Sequence, residues 1–99
     1  MSRRYAPRIG LDQAILSAID DLNARHRWND IVPLPALRVE LRHRGYTDSD
    51  ADVNWMLTAL EQGDWINLQI AQAPSSVAEP SAGIFIPGRG LIYYVGRRY

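Results

Sequence analysis

Leu11, Ile15, Ala18 and Leu22 follow one another at spacings of four, three and four, the repeat of a helix with a single apolar face. Ile19 thickens that stripe, and the pattern predicts a first helix ending near Arg25 or His26. The apolar pair Ile31-Val32 before Pro33 predicts a brief strand. Pro35 then falls in the first turn of a second helix, where a missing N–H costs nothing. Leu34, Leu37 and Leu41 form its inward face, Gly45 supplies the left-handed residue that stops it, and Tyr46 to Asp48 make the following turn.

A third helix begins around Thr47 to Ser49, whose hydroxyls can cap free N–H groups while the nearby acids complement the helix dipole. Its predicted buried stripe is Val53, Met56, Leu57 and Leu60, and Gly63 ends it. From Trp65 to Ala71 the period switches to two, with Ile66, Leu68 and Ile70 on one face and Asn67 and Gln69 on the other, as in a half-buried strand. Pro74 to Ala82, rich in Pro and Ser, reads as a loop or wing tip. Ile84 to Ile86 and Leu91 to Val95 read as strands separated by the tight turn Pro87-Gly88-Arg89-Gly90.

This order of elements, the helix-3 pattern Val53-x-x-x-Leu57-x-x-Leu60-x-x-Gly63-x-Trp65-Ile66 and the hairpin after it resemble the winged helix-turn-helix superfamily of small bacterial DNA-binding domains. The resemblance covers roughly Leu11 to Val95. It implies an α+β fold of three helices plus a C-terminal antiparallel hairpin or three-stranded wing. A basic N-terminal arm, read as flexible, occupies residues 1–10, the domain residues 11–95, and a basic tail residues 96–99. The resemblance also implies a transcriptional regulator or accessory factor bound to double-stranded DNA, with helix 3 approaching the major groove and the wing and arm touching the backbone or minor groove. On this sequence the exposed helix-3 candidates are Ser49, Asn54, Thr58 and Gln62, of which Asn54 and Gln62 have the amide chemistry to pair with adenine edges.

Charge changes that picture. Asp48, Asp50, Asp52, Glu61 and Asp64 fall between residues 48 and 64, and no Arg or Lys lies among them. Phosphate anchoring would then fall to Arg38, Arg42 and Arg44 on the second helix, Arg89 in the turn, and Arg3 and Arg4 in the arm. The formal charge of the 99-residue chain is zero, so any affinity for nucleic acid must come from a local patch. All eleven bases are Arg, which reads most simply as the mark of a GC-rich coding genome. The length fits one domain. With no cysteine and no apolar run near the roughly 18 residues of a membrane span, the expected setting is soluble, intracellular and cytoplasmic.

Catalytic and metal chemistry find little support. Asp48-x-Asp50-x-Asp52 imitates the opening of a calcium loop, but Val53 stands where that loop needs Gly and Ala59 where it needs a bidentate Glu. His26 and His43 lack companions at ligand spacing, and Gly88-x-Gly90 is not followed by the Lys-Ser/Thr of a phosphate loop. The expectation is a non-enzyme without cofactor or metal. A second functional reading comes from the aromatics. Trp55 lies at the edge of the helix-3 stripe beside Met56, where it either covers the junction with helix 2 or faces a partner, and Trp and Met are enriched in interface cores. Tyr93 and Tyr94 point to opposite faces of the last strand, placing one in the core and leaving Tyr94 for a partner. Trp28 and Trp65 read as packing residues. In this reading acidic helix 3, Trp55, Met56 and Tyr94 hold another protein or a second copy, and the edge of the final strand is a further pairing surface.

Overall fold

A computed structural model describes residues 9–98. The chain is α+β, with three helices and one antiparallel four-stranded sheet: α1 (Leu11–His26), β1 (Val32–Pro33), α2 (Leu34–His43), α3 (Asp50–Gln62), β2 (Ile66–Ile70), β3 (Ile84–Ile86) and β4 (Gly90–Arg97). Single 3₁₀ turns at Pro74–Ser76 and Pro80–Ala82 shape the long β2–β3 connection. The arm positions Arg3 and Arg4 lie outside the described residues.

Each helix end has a local cause. Gly45, at φ 90°, follows the last turn of α2; its N–H donates to the Arg42 carbonyl and the Tyr46 N–H to the Leu41 carbonyl. Those paired bonds are a Schellman stop, and buried Tyr46 supplies its apolar contact. Ser49 caps α3 by accepting from the Asp52 N–H at 3.1 Å. At the other end of α3 the left-handed residue is Asp64 (φ 62°), and Gly63 keeps an ordinary φ of −83°. The turn after α1 places Arg27, Asn29 and Asp30 in left-handed conformations. Asn23 holds it by accepting from the Asp30 N–H and donating to the Asp30 carboxylate, at 2.8 and 2.9 Å.

The sheet order is β1-β4-β2, with β3 also paired to β4. Ile92 pairs with both Ile70 and Ile84, and Tyr94 with both Gln69 and Pro33. Strand β4 therefore runs through the middle, with β2 on one side and β1 and β3 in succession on the other. The final strand is not an edge, contrary to the expectation that it offers itself to a second chain; the open edge beside α3 belongs to β2. Gly96 and Arg97 pair with Asn67 and Ile66, so β4 extends beyond Val95 into the supposed tail. A Cβ at Gly96 would overlap the Asp30 carbonyl, which explains why the strand passes the α1–β1 turn at a glycine.

Ile15, Ile19, Leu34, Leu37, Leu41, Leu57, Ile66, Ile92, Val32 and Val95 are fully buried between the helices and one face of the sheet, each contributing on the order of 1.5–3 kcal/mol. The predicted stripes of α1 and α2 match this core. In α3, Val53, Leu57 and Leu60 are buried and Met56 packs at its margin. Two expectations fail at the ends of β2. The register slips between Gln69 and Ile70, leaving Ile70 half-exposed, and Trp65 is also more exposed than packed. Trp28 packs as expected, stacked on His26 with ring centroids 4.2 Å apart. No helix among the described residues is long and apolar enough to cross a membrane.

Candidate functional site

The arginines assigned to phosphate are largely occupied by the protein itself. Arg38 is only 6% exposed. Its Nε donates to the Ala82 carbonyl at 3.0 Å and its Nη2 to Asn54 Oδ1 at 2.6 Å. Nη1 stands 3.5 Å from Asp50 Oδ1, within ion-pair range but without hydrogen-bond geometry. One guanidinium thus joins α2 to α3 and to the loop before β3. Burial lowers its pKa from the ordinary arginine value, Asp50 acts in the opposite sense, and Arg42 adds to the lowering.

Arg44 is spent in the same way between α1 and α2. It donates to Glu40 at 2.7 Å, to the Ser17 hydroxyl at 3.2 Å and to Asp21 at 2.5 Å. Arg25 reaches the other Glu40 oxygen at 2.8 Å. Hydrogen bonds from Arg44 and then Arg25 hold the Glu40 carboxyl below its ordinary pKa, and Glu40 and Asp21 raise that of Arg44. Arg89 folds back onto α3, where Nη1 and Nη2 grip the two Glu61 oxygens at 2.7 and 3.2 Å. Of the designated anchors among the described residues, Arg42 alone is exposed and makes no ion pair there.

The base-reading candidates fare similarly. Asn54 is half-buried with its Oδ1 taken by Arg38, and the Thr58 hydroxyl donates back to the Asn54 carbonyl at 3.0 Å. These two and Glu61 lie on the side of α3 turned to the β2–β4 connection, because Arg38 ties Asn54 to Ala82 and Arg89 ties Glu61 to the β3–β4 turn. Ser49 is a cap, and Gln62 is exposed.

What α3 gives to solvent is a different set. Trp55 is 70% exposed. Ala51 and Ala59, one turn to either side, keep its surroundings low, while Asp52 and Gln62 stand on the same solvent-facing surface. Among the described residues Asp48, Asp52 and Asp64 make no ion pair; Asp52 shares the face of Trp55, and Asp48 and Asp64 lie just beyond the two ends of α3. The partner candidates Met56 and Tyr94 are half-buried; Tyr94 lies against Tyr93 edge to face, and Tyr93 is the core member of the pair. Phe85, also 70% exposed, escaped the sequence reading, although the alternation Ile84-Phe85-Ile86 sets it opposite its two inward neighbours. The described residues contain no group of three or more His, Cys, Asp or Glu able to hold a metal ion.

The chain matches no protein-family model, no curated protein and no solved structure. The functional reading therefore rests on its own geometry.

Proposed function

We propose that this chain is a protein-interaction domain of winged-helix type, in which α3 docks a basic surface of another protein onto Trp55. The order of helices and strands supports the winged-helix assignment, with β1 and β2 flanking β4 and the β2–β4 connection as the wing. The observation that carries the functional reading is a 70%-exposed tryptophan on a helix whose one unpaired charge, Asp52, is acidic and shares its face. An indole beside a free carboxylate suits a partner's Arg or Lys, which stacks on the ring for about 0.5–2 kcal/mol while its charge faces Asp52. A phosphate backbone brought to the same face meets only like charge. Arg38, Arg44 and Arg89 cannot offset this without abandoning internal bonds.

Two measurements separate this function from DNA binding. Trp55→Ala should leave the domain folded and abolish retention of a protein partner in quantitative affinity capture from native extract; equal retention by both forms would refute the assignment. Fluorescence anisotropy with a labelled random-sequence duplex should show no appreciable binding even at low salt. Binding that falls linearly on a log–log salt plot would restore the DNA reading.

A further inference from the structure

Residues 1–8 join the domain at Ile9, whose carbonyl accepts from the Tyr46 hydroxyl at 2.8 Å and whose side chain is 54% exposed. Tyr46 stands just before the Ser49 cap of α3. The recess beside it is lined by Asp48, Asp50 and Val53 and, from α2, by Arg38, Leu41 and Arg42. The segment that leaves from this point, Ser2-Arg3-Arg4-Tyr5-Ala6-Pro7-Arg8, carries three arginines and no acid. Acids of α1 and α2 that could attract it are already held: Asp20 by Arg97, Asp21 by Arg44, and Glu40 by Arg44 and Arg25. Among the described residues, those at this end without an ion pair are Asp12 in the first turn of α1, Asp48, and Asp52 in the first turn of α3. Exposed Arg42 disfavours a course over α2 by like charge.

We propose that residues 1–8 fold back along α3 and cover Trp55, with Arg8 facing Asp12 and Asp48 and with Arg3 and Arg4 reaching Asp52 and the indole. The length suffices. Eight extended residues span at most about 26–29 Å, whereas Trp55 lies only about 9 Å along the helix axis from Ser49. The exposed ring takes a guanidinium on its face, and Ala51, one turn before it, leaves room for the arginine stem. This inference rests on the reading of α3 as the docking face for a basic partner: the arm offers the same chemistry from within the chain, so a partner must displace it. A tethered ligand acts at high effective concentration and lowers the apparent affinity of its competitor.

The chain has no cysteine, so a nitroxide on Ser2→Cys is a single label whose neighbours NMR of the full chain can read. It should broaden the Trp55 indole and the Asp52 amide and spare the Trp28 indole beyond the far end of α1. Salt at about 1 M, which screens charges beyond about 3 Å, should release it. No broadening at Trp55, broadening indifferent to salt, or broadening only between a labelled and an unlabelled copy would overturn the proposal. A fluorescein-labelled peptide of residues 1–9 is the second probe. By anisotropy it should bind the full-length Arg3→Ser/Arg4→Ser/Arg8→Ser variant at least about tenfold more tightly than wild type, whose own arm competes. Adding Trp55→Ala or Asp52→Asn to that variant should weaken the peptide again. Equal binding to wild type and variant would overturn the arm's occupancy of the face. Broadening at Trp55 together with a Trp55→Ala protein that keeps its partner would remove the docking function and leave the arm's contact standing. A partner lost in Trp55→Ala without broadening in the labelled chain would remove the arm alone.

Discussion

Replacing Arg38 by Ala separates a structural arginine from a phosphate anchor. The substitution removes two hydrogen bonds from a charged donor, to Asn54 and to Ala82, each worth roughly 1.5–3 kcal/mol. Both acceptors belong to residues that are only half-buried, so water recovers part of that loss, and Asp50 is exposed enough to stand alone. The expected cost is about 2–4 kcal/mol, which for a domain of this size lowers Tm by roughly 10–25 °C. Arg38→Met, which keeps much of the buried stem, should recover part of the difference. Urea unfolding followed by circular dichroism measures both variants beside Arg42→Ala, which should stay within about 0.5 kcal/mol of wild type as a surface change does. An Arg38→Ala protein as stable as wild type would refute the reasoning and return Arg38 to the list of available cations.

Acid titration tests the two arginine-held glutamates. The carboxyls of Glu40 and Glu61 sit below their ordinary value of 4.5 in the folded chain, so the stability they lend is present above that value and is lost as pH falls through the lowered folded values. The urea midpoint should decline below about pH 4.5, and Glu40→Gln/Glu61→Gln should start lower at neutral pH and decline less steeply; parallel profiles would count against the assignment. Gly96→Ala should destabilise by about 3 kcal/mol because its Cβ meets the backbone of the α1–β1 turn, and thermal melts would expose an error if Tm were unchanged. Trp55→Ala should keep its unfolding midpoint within about 0.5 kcal/mol of wild type; a large loss would mean the indole supports the fold.

Local pattern carried most of the fold and less of the site. The spacing of Leu11, Ile15, Ala18 and Leu22, the glycine after α2 and the serine before α3 act within a few residues of themselves, so the three helices were legible in the chain. The partners of the arginines were not. Arg38 reaches Ala82 across 44 residues and Arg89 reaches Glu61 across 28, distances over which neither period nor propensity carries information. The same limit hid the central position of β4, which depends on β1 joining it from the far side of two helices. The edge position of Trp55 was readable on the helical wheel, because Val53, Met56 and Leu57 define the buried arc, but its exposure was not, since an indole there could equally have covered the junction with helix 2. The acidity of α3 was legible too. Which of its carboxylates remain free became clear only once Arg38 and Arg89 were seen to take Asp50 and Glu61.

The most direct test of the docking face keeps Trp55 and places a photo-crosslinking amino acid one turn away, at exposed position 51 of the full chain, in the cells that make it. If α3 holds a basic protein, irradiation should give a discrete protein adduct that weakens when Asp52 is changed to Asn and persists after nuclease treatment. An adduct to nucleic acid, or a protein adduct indifferent to that carboxylate, would contradict the account.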